Sequence, residues 1–162
     1  MQAYGLERRP ISIARLHLTL LPIIADDDPP PAMLIAAACK AAATVAAAPF
    51  DIALDRVESF DIPRQHRPLV LAAQTRPATL LALQRRLHGA MLSAGLHPPR
   101  YSFARPHVTM MWDRAIPNSF GIAPIGLHAR EIVFIHSHVG QSRHETLGRW
   151  LLEGGDGAQE PA

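Results

Sequence analysis

The chain has 162 residues, enough for one domain or two closely packed lobes with a substantial core. Apolar residues make up 48% and charged residues 19%, which excludes a disordered chain. Sixteen basic and fourteen acidic residues leave a formal charge of only +2, so any anion site must be local rather than a general nucleic-acid magnet. The single Cys39 excludes an internal disulfide framework and suits a reducing cytoplasm. The opening MQAYGLERRPISIARL mixes charges throughout and lacks the apolar run of a secretory signal.

In chain order, Arg15–Leu21 (RLHLTLL) predicts a strand. ADDDPPP, residues 25–31, predicts a turn and a helix start, with acids near the positive helix end. Ala32–Ala47 is alanine-rich and predicts a helix that Pro49 stops. The overlapping stretch Met33–Phe50 is the best membrane-span candidate. It is short and carries Lys40, so it reads as a buried helix with no membrane role. Phe50, Ile52 and Leu54 alternate with polar neighbours and predict a strand. IPRQHRP, residues 62–68, is a loop, and Leu69–Ala73 a short apolar strand. Thr75–Leu96 is the clearest helix, with Leu80, Leu83, Leu87 and Met91 on one face and Gly95 closing it. A loop leads to a strand at RPHVTMMWD, residues 105–113. Ile116–Gly126 reads as a long connection. Glu131–His138 is a strand, Gly140–Glu145 a turn, Leu147–Leu152 a last strand, and 153–162 a disordered tail. Mixed elements with local antiparallel pairing give an α+β fold of two sheet lobes in one domain over 1–152.

The functional signal is a repeat. RLHLTLLP and RPHVTMMWD each carry a His-x-Thr unit in an apolar run. In a strand, residues i and i+2 face the same way. His17 therefore stands beside Thr19, and His107 beside Thr109, with Leu18 and Leu20, or Val108 and Met110, on the opposite face. If the lobes face each other, the four polar groups line one cleft. A single histidine in an apolar strand is ordinarily a satisfied core or edge residue; a matched pair points to function. Imidazole, with a reference pKa near ~6.5, can take or give a proton near neutrality. Threonine hydroxyls can donate to non-bridging phosphate oxygens. Together they suit phosphodiester chemistry that needs no metal.

At these residues the chain resembles the two-histidine (2H) phosphoesterase superfamily, marked by a pair of His-x-Thr/Ser motifs. It is most similar to the bacterial 2'-5' RNA ligase (LigT-like) group, also called RNA 2',3'-cyclic phosphodiesterases. RLHLTLLP matches the first motif and FARPHVTMMWD the second. TRPATLLALQRRLHGAMLSAGL falls where the group has its amphipathic helix, and EIVFIHSHVGQSRHETLGRWLL resembles the group's C-terminal strand, turn and strand. The resemblance implies a bilobal, duplicated LigT-like fold, two antiparallel sheets facing a central cleft with helices outside. It implies cofactor-free hydrolysis of terminal 2',3'-cyclic phosphates on RNA to 2'-phosphates, and reversible 2'-5' ligation. It carries His17 and His107 over as the acid/base pair and Thr19 and Thr109 as phosphate holders. If the 3' oxygen leaves, His17 is its acid and His107 the base for water.

Three departures accompany the likeness. Family members usually begin with a strand and helix ahead of the first motif, and here only sixteen residues precede His17. Either Met1 is not the true start, or a strand is lacking and an exposed sheet edge offers a dimer contact. Trp112 stands where relatives often carry arginine, with Arg105 and Arg114 nearby; it either stacks on a base or packs at a strand end. His144 replaces a tyrosine common in the C-terminal turn. These four are the candidate substrate contacts.

Other residues read more plainly. His136 and His138 share a strand face and would need a third ligand such as His128 or His144 to hold a metal; pairing or exposure at a rim is the simpler reading, and no metal is assigned. Asp26, Asp27 and Asp28 solvate a loop. Arg64, Arg67, Arg85 and Arg86 are either solvated or a basic rim for an RNA backbone. The expected partners are RNA 3' ends or small cyclic nucleotides. The alternatives are a phosphodiesterase for a small nucleotide and a catalytically weak RNA-end-binding protein.

Overall fold

The structure, a computed structural model, describes residues 5–23, 29–62, 65–99, 105–138 and 140–153. The expectations for Asp26–Asp28, Arg64, the loop around 100–104 and the tail from 154 lie outside those residues. The chain divides into two compact units. The first comprises 1–20, 52–76 and 101–127, and the second 21–51, 77–100 and 128–162. The class is α+β with two antiparallel sheets, as expected.

The first unit is built on a four-stranded sheet. Its strands are β1 (Phe50–Ser59), β2 (Arg67–Ala72), β3 (His107–Asp113) and β4 (Phe120–Ala129), in the order β3-β2-β1-β4, with residues 50–51 of β1 and 128–129 of β4 assigned to the second unit. β1 pairs antiparallel with β2, setting Val57 opposite Leu71 and Ser59 opposite Leu69. β2 pairs antiparallel with β3, setting Ala72 opposite His107 and Val70 opposite Thr109. Leu69, Met111 and Ile116 are buried together, with Leu6, Val57 and Met110 packed against them. β4 corrects the sequence reading, which took 116–126 for a connection. Gly121, Gly126 and Pro124 disguise it, and its place at a sheet edge tolerates the proline, whose missing N–H need not join a ladder.

The second unit contains α1 (Ala32–Ala42), α2 (Ala78–Ser93) and a hairpin of β5 (Glu131–His138) and β6 (Arg143–Leu151). α1 packs along α2 and against β6. α2 buries Leu80, Leu83, Leu87 and Met91, the apolar face that the sequence predicts, and adds Gln84. Gly95, at φ +77°, reverses the chain at its end, and the Leu96 amide donates to the Met91 carbonyl. α1 stops earlier than Ala47. Thr44 sends its hydroxyl to the Ala41 carbonyl at 2.8 Å, and its amide donates to the same oxygen at 3.1 Å, closing the helix before Pro49 is reached. Among the described residues no helix is long and apolar enough to cross a membrane.

The expected strand at Arg15–Leu21 is reduced to one antiparallel bridge, Leu18 to Val108, preceded by a 3-10 turn at Ile13–Arg15. The segment is nevertheless tied along β3. The Ile11 amide donates to the Met110 carbonyl at 2.7 Å. The buried Asp113 carboxylate accepts from the Glu7 and Arg8 amides, both at 2.8 Å, and from the Arg114 amide at 2.7 Å. These amide hydrogen bonds, led by that from Arg8, hold the Asp113 carboxyl below its ordinary range against the opposing effect of burial. A carboxylate whose folded-state pKa is depressed contributes stability that is present above its unfolded value and lost as pH falls through the folded value. Asp113→Ala is therefore expected to lower the denaturation midpoint near neutral pH, and the gap from wild type should close as pH falls from about 5 toward about 2. Denaturant titrations of both proteins across that range check this; a gap that stays constant contradicts it.

Candidate active site

Both His-x-Thr units lie in the first unit, one on β3 and the other on the segment bridged to it, rather than being divided between the two units. The Leu18–Val108 bridge is antiparallel. It sets the residue between His17 and Thr19 opposite the residue between His107 and Thr109, so the two motifs lie side by side. Val108 is buried, His107 and Thr109 are half-buried, and His17 and Thr19 are exposed.

The two rings are anchored alike. His17 Nδ1 lies 2.8 Å from the Arg15 carbonyl, and His107 Nδ1 lies 2.8 Å from the Arg105 carbonyl. A carbonyl only accepts, so Nδ1 carries the hydrogen in both rings. Nε2 is left with a lone pair when the ring is neutral and with a proton when it is charged. Each histidine thus offers one defined atom, Nε2, for proton transfer. The sequence carries the signal for this symmetry as Arg-x-His-x-Thr in both copies, because the acceptor is the backbone two residues before each histidine.

His107 is held further by Phe60, whose ring meets it edge-on with centroids 4.5 Å apart at 71°. Phe60 was not among the residues the sequence singles out. It follows Glu58 at the end of β1, with the same parity as the buried Phe50, Ile52 and Leu54, and that alternation is the signal that could have found it. Arg105 donates to Glu58 at 2.6 Å, so its charge is already balanced.

A β-bulge decides where Trp112 points. Thr109 pairs with Val70, but Met111 pairs with Leu69, leaving Met110 as the extra residue. Strict alternation would put Trp112 on the face opposite His107. The bulge returns it to the His107–Thr109 face, where it is 40% exposed, and sends Met111 and Asp113 inward. Of the remaining candidates, Arg114 is paired with Glu7. His144 lies in the second unit, on β6 opposite Ser137. Arg67 pairs with Asp61 at 2.9 Å in the first unit, and Arg86 donates to the Ala46 carbonyl at 2.7 Å in the second.

The sequence profile of the 2'-5' RNA ligase superfamily matches residues 6–119, a span that includes both motifs and all of β1 to β3. The chain belongs to that superfamily. Solved structures of similar fold include a phosphoesterase (TM-score 0.64, 24% identity, 89% of this chain and 80% of that one). They also include Escherichia coli LigT complexed with 3'-AMP (TM-score 0.63, 24% identity, 89% and 80%) and the protein TT0787 of Thermus thermophilus (TM-score 0.63, 18% identity, 90% and 82%). No curated protein matches at a significant level. Membership of the 2'-5' RNA ligase superfamily makes this a chain of the phosphoesterase and ligase class, with a LigT-like fold.

The tautomer assignment is testable without substrate. Long-range ¹H–¹⁵N correlation spectra at pH above both imidazole transitions should show Nδ1–H for His17 and for His107. An Nε2–H signature at either ring contradicts the anchoring described.

Proposed function

We propose that this protein is an RNA 2',3'-cyclic phosphodiesterase that opens terminal cyclic phosphates to 2'-phosphates. The observation that supports the reading is the pair of His-x-Thr units joined by the Leu18–Val108 bridge, each ring held through Nδ1 by the carbonyl two residues before it. In the proposed reaction, His107 Nε2 takes a proton from water as the water oxygen bonds to phosphorus. The phosphorus–O3' bond breaks, and His17 Nε2 gives its proton to the departing 3' oxygen. The Thr19 and Thr109 hydroxyls donate to the non-bridging oxygens as charge builds there. An RNA 5'-hydroxyl in place of water would make the same displacement form a 2'-5' linkage. The chemistry uses only side-chain protons and hydroxyls, so it calls for no metal or cofactor. LigT of Escherichia coli has been solved with 3'-AMP, ATP and NADP+, which supports ligands of nucleotide size for this chain as well. Trp112, exposed on the His107–Thr109 face, offers a stacking surface for a base.

The test is hydrolysis of an oligoribonucleotide ending in a 2',3'-cyclic phosphate, in the presence of EDTA. His17→Ala and His107→Ala are each expected to lower kcat by roughly 10²–10⁴-fold. Thr19→Ala and Thr109→Ala should each cost roughly 10²-fold if the hydroxyls stabilise charge. Activity that survives loss of both histidines refutes the proposal. Tight binding of the oligonucleotide by a folded wild type without turnover would replace it with an RNA-end-binding role. The pH profiles of the two single variants test the order of acid and base, and indistinguishable profiles remove the assignment.

Trp112 separates RNA from small nucleotides as substrate. Trp112→Ala should raise KM for the oligonucleotide by roughly 5–150-fold, as expected for the loss of about 1–3 kcal/mol of stacking, while Trp112→Phe retains most of it. An equal KM for oligonucleotide and mononucleotide cyclic phosphates in wild type would favour a small-nucleotide enzyme.

A further inference from the structure

The second unit carries a cluster that the phosphodiesterase reading does not use. His136 stands directly opposite Glu145 across the β5–β6 register, and His138 is two residues further along β5. Alternation puts all three side chains on one face of the hairpin. The two imidazole rings have centroids 4.0 Å apart, and His138 Nε2 lies 3.0 Å from Glu145 Oε2. One ligand atom from each residue lies within 4.8 Å of the other two. The third partner is therefore neither His128 nor His144, the residues the sequence suggests. His128 pairs instead with Asp51 at 2.7 Å, and His144 faces Ser137. Glu145 escaped the sequence reading because it was placed in the turn, whereas β6 begins at Arg143.

We propose that His136, His138 and Glu145 form a divalent transition-metal site, best suited to Zn²⁺, that clips the two strands of the hairpin together near its turn. Two imidazoles and one carboxylate are a borderline-soft set that zinc accepts, with a fourth tetrahedral position left for water. Bonds of about 2.0–2.1 Å place tetrahedral ligand atoms about 3.4 Å apart. The cluster reaches that geometry by contracting a little over an ångström, mostly through Glu145, whose side chain is half exposed. The clip has a physical use, since a two-stranded sheet is marginal by itself. The ligands come from both strands, so the metal would join them within a few residues of the turn that Gly140 and Ser142 make at positive φ.

Arg143 opposes loading. Its guanidinium lies 3.2 Å from His138 Nδ1 and 3.9 Å from the Glu145 carboxylate. For Nε2 to ligate a metal, the hydrogen on the neutral ring must sit at Nδ1, and Arg143 must then turn away. It is 57% exposed and free to do so. The arginine thus acts as a removable competitor for the position of the metal charge.

The experiment is calorimetric titration of the untagged full-length chain with Zn²⁺, with melting temperatures recorded in Zn²⁺ and in EDTA. Wild type should bind one equivalent at this cluster and melt higher in Zn²⁺. His136→Asn/His138→Asn and, separately, Glu145→Gln should each weaken that equivalent at least roughly 10²-fold and abolish the shift. Arg143→Gln should tighten it. His128→Asn, elsewhere in the unit, should change nothing. Co²⁺ in place of Zn²⁺ should show the visible bands of a tetrahedral nitrogen–oxygen site in wild type only. Glu145→Gln alters an exposed side chain, so it keeps the test decisive if the double variant fails to fold. No binding by wild type, or equal binding by wild type and Glu145→Gln, overturns the proposal. Neither result depends on catalysis at His17 and His107.

Discussion

The candidate site rests on the pairing of the N-terminal segment with the outer edge of β3. Three contacts make that pairing in antiparallel order: the Glu7 and Arg8 amides on Asp113, the Ile11 amide on the Met110 carbonyl, and Leu18 against Val108. Without it, His17 and Thr19 belong to an irregular stretch with no fixed relation to His107 and Thr109. The cost of ordering such a segment has to be met by specific bonds, because it supplies little regular secondary structure of its own. Asp113 meets part of it. A buried carboxylate that accepts several backbone amides is strongly held in its charged form, and it converts otherwise unsatisfied N–H groups into anchors.

The same strand carries the second determinant. Met110 is an inserted residue, and its bulge shifts the parity of all that follows it in β3. Met111 and Asp113 turn inward, where one joins the core and the other receives the N-terminal amides. Trp112 turns outward to the histidine face. One extra residue therefore serves packing, tethering and the recognition surface together, and bulges commonly re-aim side chains in this way near functional sites. The carbonyls of Arg15 and Arg105 complete the arrangement by settling which nitrogen of each ring carries the hydrogen.

Legibility in the sequence followed the strength of local signals. α2 was readable because Leu80, Leu83, Leu87 and Met91 repeat at helical spacing and Gly95 closes the helix in a left-handed conformation. α1 was readable as a helix but not in its length, since alanine runs carry no stop signal and Thr44 ends the helix by competing for the Ala41 carbonyl. β4 was hidden by two glycines and a proline that only an edge position tolerates. Glu145 was lost to a turn drawn three residues too long, and with it the third member of the hairpin cluster.

By itself, the sequence determined the α+β class, the superfamily and the four motif residues, because a repeated His-x-Thr in apolar runs is a local pattern whose chemistry does not depend on the rest of the chain. Only the tertiary structure decided that both motifs lie in one unit and meet at the Leu18–Val108 bridge, that Trp112 shares the His107–Thr109 face while Arg114 turns to Glu7, and that Phe60 packs on His107. Those outcomes are matters of register and of contacts between residues distant in the chain. Register moves by a whole face for one inserted residue, and neither composition nor periodicity records where that residue is inserted.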